Sequence, residues 1–115
     1  MTYQEVAAMI KSIGVPFAYY QFPNNTEQAC PFICFFFSSS NDLAADNTNY
    51  QRIRELNIEL YTDNKDFQLE ETVESTLNQN GLVFTREETY LKAEQMYMVT
   101  FITQIVLTDE ITTEV

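Results

Sequence analysis

Histidine and tryptophan are absent from this 115-residue chain, which also has only two glycines, three prolines and two cysteines. Without histidine the ordinary Ser/His and Cys/His nucleophile pairs cannot be built. A metal site would have to rely on carboxylates or on another subunit's thiols, so no cofactor or metal is expected. The two glycines leave no phosphate-cradling loop, and both Gly14 and Gly81 read as helix ends. Basic residues are scarce: six Lys and Arg stand against seventeen Asp and Glu, a net charge of −11. That balance repels nucleic-acid phosphates and anionic membrane surfaces. The longest apolar run, Pro31 to Phe37, is far shorter than the ~20 residues a spanning helix needs. No basic-then-apolar leader opens the chain, so it is expected to be cytoplasmic in the cell that makes it. If Cys30 and Cys34 lie in one strand, their Cα atoms are roughly 13 Å apart, too far for a mutual disulfide. Buried free thiols are the expectation.

What is present is apolar and aromatic. Hydrophobic residues make up 45%, with nine Phe and seven Tyr, enough for a core in one domain over residues 1–108. Residues 109–115 read as a loose polar tail. The clearest periodicity runs from Ile53 to Gly81. Leu56, Ile58 and Leu60 alternate with Asn57, Glu59 and Tyr61, the period-2 pattern of a strand with one buried face. After the polar run Thr62 to Asp66, Leu69, Val73 and Leu77 recur every four residues while Glu70, Glu71, Glu74 and Gln79 face away. That is an amphipathic helix, begun by Asp63 or Asp66 and ended by Gly81.

At the other end, Thr2-Tyr3-Gln4-Glu5 is a capping box. Behind it Tyr3, Val6, Ala7, Ile10 and Ile13 form a helical stripe closed by Gly14 and Pro16, predicting a helix over about 3–13. Phe17–Phe22 and Pro31–Phe37 are aromatic strand-like runs. The polar stretch Pro23–Gln28 between them predicts a hairpin. Ser38–Tyr50 has no usable period and reads as a long connection, either a mobile surface loop or a segment that packs on a neighbour. Leu82–Leu91 and Met96–Thr108 are the last two strands, turned by Lys92–Gln95. The expected fold is α+β, with two helices on one face of a mainly antiparallel or mixed sheet in the order α-β-β-β-α-β-β.

Two strands carry a surplus. Phe32–Phe37 is apolar on both faces. So is Met96–Leu107, with Val99, Phe101 and Ile105 on one face and Met98, Ile102 and Val106 on the other. Such strands normally lie under cover on both sides, and two short helices can cover only one. Either subunits associate through the second face, or the first hairpin folds over it. Arg52 and Arg54 share a face and could grip a neighbour's carboxylates or pair at the surface within the subunit. Glu70–Glu71 and Glu87–Glu88 do not converge on a substrate, because neighbours in a helix or strand point apart. An enzyme is not expected.

The run Leu56–Asp66, the Leu69-Glu70-Glu71 helix and the C-terminal strand pair resemble small structural proteins of long-tailed phages and prophages, the tail-terminator or tail-completion family. The resemblance implies an α+β subunit that forms a ring, commonly a hexamer, capping the tail tube and facing the head connector in the virion neck. DNA would pass through its centre without specific binding. Asn41, Asp42, Leu43, Asn49, Tyr50, Arg52, Arg54, Phe101 and Ile102 are then the candidate subunit interface, and Asp42, Glu87, Glu88 and Glu94 the candidate acidic lumen. A neighbouring head–tail joining protein would look much alike. The other classes open at this point are an acidic DNA mimic that inhibits a host nuclease and an accessory domain that binds one cellular protein.

Overall fold

The computed structural model describes residues 1–22, 28–40, 43–45 and 49–108, with only the backbone placed at 43–45 and 49–50. Helix α1 spans Tyr3–Lys11 and α2 spans Phe67–Gln79. The strands are β1 (Phe17–Tyr19), β2 (Phe32–Ser40), β3 (Leu43–Ala45), β4 (Asn49–Thr62), β5 (Phe84–Leu91) and β6 (Met96–Leu107). The capping box at α1 forms as the sequence predicts. The Thr2 hydroxyl accepts from the Glu5 amide at 3.0 Å, and Glu5 accepts from the Thr2 amide at 2.8 Å. Asp66 caps α2, its carboxylate accepting from the Leu69 amide at 3.0 Å. Gly81, with φ +73°, takes the left-handed conformation that stops it.

The main sheet runs β1-β2-β4-β6-β5, and β3 pairs with the far end of β4. β4 and β5 are both antiparallel to β6, which lies between them. The helix α2 therefore links two strands that are parallel but not adjacent. Its Val73 and Leu77 pack with Val6, Met9, Ile10 and Ile13 of α1 against Ile33, Phe35, Leu56, Ile58, Leu60, Val99, Phe101 and Ile105. Those sheet residues share one face by register, so both helices cover the same side.

Three local expectations change. β1 and β2 do not form a hairpin: they pair in parallel, Phe17 to Ile33 through Tyr19 to Phe35. Twelve residues, 20–31, separate them, about the length a parallel return requires. The polar composition of that return is the same one a hairpin loop would have. Ser38–Tyr50 is mostly not a connection. β2 continues to Ser40 past an irregularity between Phe37 and Ser39, and β3 and the start of β4 form their own ladder, Leu43 to Gln51 through Ala45 to Asn49. Serine and asparagine hid this strand from a periodicity argument. Cys30 precedes β2 instead of lying in it, and both thiols are free. The proposed tail at 109–115 lies outside the described residues.

β4 is fourteen residues long, about 46 Å at strand spacing, against principal extents of 50 × 29 × 24 Å. Pairing with β2 stops at Arg54 and with β6 at Arg52. Among the described residues, 49–51 therefore pair only with β3, and the two strands extend past the end of the main sheet as an arm.

Candidate functional site

Strand alternation sorts the candidates by face. Phe101 is 0% exposed, lies among the core residues under the helices and sits 5.9 Å from the Phe84 ring. It belongs to the subunit's own core and is not available to a neighbour. Ile102, one residue on, points to the opposite face and is half-buried. Asn41 and Asp42 lie outside the described residues. Leu43, Asn49 and Tyr50 sit on the β3–β4 arm. Arg52 and Arg54 follow on β4, pairing with Leu107 and Ile105, and do share a face. At backbone level these positions gather at one end of the molecule, where Ile53 and Val106 also pair on the uncovered face.

That uncovered face presents Phe32, Cys34 and Phe36 from β2, Ile53, Asn57 and Tyr61 from β4, and Met98, Ile102 and Val106 from β6. Only Cys34 and Asn57 among them are buried, while Val106 is 44% exposed. The segment after β1 covers one end. Tyr20 stacks on Phe36 with ring centroids 4.7 Å apart, and Phe22 meets Phe32 edge-on at 5.5 Å. This is the cover expected of a folded-over hairpin, but its described contacts reach only β2. A polar chain crosses the middle: Asn57 donates to the Ser38 hydroxyl, which donates to Glu55, each at 2.7 Å.

Tyr61 donates to Glu59 at 2.8 Å and stacks on Phe32 at 4.7 Å. Burial and then that hydrogen bond push its phenol well above the usual tyrosine range. Burial also raises both thiols, assisted by Asp63 for Cys30 and by Glu59 for Cys34.

The acids divide differently from the expectation. Glu70 does not face solvent: it is 1% exposed, tucked between α2 and the sheet. Lys65 Nζ reaches it at 2.5 Å and Arg86 at 2.8 Å. Lys65 also holds Glu88 at 2.6 Å, and Arg86 holds Glu74 at 2.8 Å. Arg86 lies over the Phe101 ring, 5.7 Å from its centroid. Hydrogen bonds to Glu70 and then Glu74 raise the Arg86 pKa against the opposing effect of burial. For Lys65, burial lowers the pKa but the bonds to Glu70 and Glu88 overcome it, and the net direction is up. The signal for this cluster was in the sequence: positions 70, 73 and 77 keep helical spacing, and Glu70 shares the stripe of Val73 and Leu77.

Of the candidate lumen acids, the three described ones, Glu87, Glu88 and Glu94, are not brought together. Glu88 faces the helices within the ion-pair cluster, Glu87 faces the opposite side of β5, and Glu94 lies in the β5–β6 turn. Among the described residues no group of three or more His, Cys, Asp or Glu could hold a metal ion, and no helix is long and apolar enough to cross a membrane.

No protein-family model matches the sequence, and no curated protein does so. Solved structures do. A chain of the virion of a native gene transfer agent (GTA) particle superposes with a TM-score of 0.62 at 15% identity, over 90% of this chain and 89% of that one. Such a likeness at this identity establishes a shared fold over nearly the full length of both chains.

Proposed function

We propose that this chain is a non-enzymatic structural subunit of a tailed phage or phage-like particle, most specifically a tail terminator that closes the tail tube as a ring. The observation that carries the reading is the fold shared with a virion chain over 90% of the sequence, joined to the tail-terminator resemblance of the strand, turn and helix at 56–71. The half-exposed row Ile53, Ile102 and Val106, next to the β3–β4 arm, supports assembly by contact between copies. Large apolar side chains stabilise an interface by ~1.5–3 kcal/mol each when fully buried. Glu87, Glu94 and Asp42 remain lumen candidates in this reading, whereas Glu88 is neutralised by Lys65. DNA would pass such a ring without being gripped. The virion neck is then its location and the tube and head connector its neighbours. The DNA-mimic alternative has less support, because Glu70, Glu74 and Glu88 are already bound to cations instead of forming a free anionic track.

Deleting the gene from the particle that encodes it and imaging the products tests the assignment. Loss of a terminator leaves tube growth unchecked, so tails of uncontrolled length are expected. Normal-length tails detached from full heads would assign the chain to the head–tail joint instead. Normal particles would overturn the structural reading altogether.

A further inference from the structure

At the end of the uncovered face remote from the β3–β4 arm lies a groove of about 980 Å³. Tyr20, Phe22, Phe32 and Tyr61 give it aromatic walls, Asp63 and Glu94 also line it, and none of the described residues that line it is basic. Tyr20 is held at φ +69° with its amide bonded to the Phe35 carbonyl at 2.9 Å, and the residue is 59% exposed. A left-handed backbone is costly for a bulky side chain and concentrates at functional positions. Here it stacks an exposed ring on Phe36 at the side of the groove.

We infer that this groove docks a segment of a different protein that inserts a Lys or Arg side chain, flanked by an apolar residue, between the aromatic walls and the carboxylates of Asp63 and Glu94. Aromatic faces attract a cation, and the carboxylates supply its counter-charge. The Cys30, Cys34 and Tyr61 acids are all shifted up, first by burial and then by Asp63 or Glu59, as expected where further negative charge is unwelcome. A second copy of this chain is a poor occupant. Of its six basic residues, Lys65 and Arg86 are bound to their own carboxylates and Arg52 and Arg54 also have interactions within the subunit, which leaves only Lys11 and Lys92 for a second copy to insert. This inference stands independently of the tail-terminator reading and uses the opposite end of the sheet face.

The test is a nuclear magnetic resonance titration of the labelled full chain with the peptide acetyl-Leu-Arg-Phe-Arg-amide, beside a control in which both Arg are replaced by Glu. Shifts confined to Tyr20, Phe22, Phe32, Tyr61 and Met96, seen with the basic peptide alone, are expected. Asp63 and Glu94 are both exposed, so the double variant Asp63→Lys, Glu94→Lys should keep its circular dichroism and bind roughly tenfold more weakly or worse. No shifts, equal shifts with the acidic control, or undiminished binding by the folded variant would overturn the proposal. So would concentration-dependent shifts of the same residues without peptide, which would give the groove to a second copy. The tail phenotype is read separately, so either idea can fail alone.

Discussion

At the scale of single residues, Glu70 separates what periodicity shows from what it hides. Its spacing from Val73 and Leu77 places it on the buried stripe, but a carboxylate is normally assigned to solvent. The cations Lys65 and Arg86, five and sixteen residues away in sequence and adjacent in space, make its burial stable. Glu70→Gln keeps the shape and removes the charge, leaving Lys65 and Arg86 to compete for what remains. A loss of about 2–3 kcal/mol in urea unfolding is expected, with Glu71→Gln, on an exposed residue, near neutral. Phe101 shows the reverse case. Alternation placed it opposite Ile102, but which of the two faces the helices would cover depended on the register with β4. The upward-shifted groups predict behaviour in base. Below their ordinary values of 9.0 for cysteine, 10.0 for tyrosine and 10.5 for lysine, the folded and unfolded states are equally protonated. Above them the unfolded chain releases protons that the folded one retains, so stability falls as pH rises. Unfolding free energy should be level from neutral to about pH 9 and decline beyond it. Tyr61→Phe should flatten that decline above pH 10, whatever it does to stability at neutral pH.

At the scale of elements, local chemistry was the most legible. The Thr2 capping box, the Asp66 cap and the Gly81 stop follow from hydrogen-bonding and backbone rules that act within a few residues. Thr2→Ala and Asp66→Ala should each cost about 1 kcal/mol, measurable as lowered denaturation midpoints with an unchanged urea slope. Pairing was less legible. Whether β1 meets β2 head-on or side by side depends on the path of residues 20–31, and a polar return path looks like a hairpin loop until both strands are placed. The β3–β4 ladder carries no apolar alternation because, among the described residues, the main sheet does not pair with it. Its strands are fixed by backbone bonds between chemically unremarkable residues, for which sequence patterning offers no signal.

At the scale of the whole molecule, the surplus of apolar strand was visible in advance as an imbalance between two helices and two doubly apolar strands. The structure locates the excess on the face opposite the helices, with Tyr20 and Phe22 covering part of one end. Neighbouring positions on β6 therefore give opposite outcomes. Phe101→Glu puts a charge into the core and should abolish cooperative unfolding. Ile102→Glu should keep the fold and shift the protein to smaller species in light scattering across a concentration series. Unaltered assembly in the Ile102 variant would count against this face as the contact between copies. The position of β6 has a further consequence for biosynthesis. β6 is made after β5 yet lies between β4 and β5 in the sheet, so a nascent chain that has reached only β5 exposes the β4 edge until β6 has left the ribosome. Any delay there leaves the longest strand open to capture by another chain, and the yield of soluble protein depends on how promptly that seam closes.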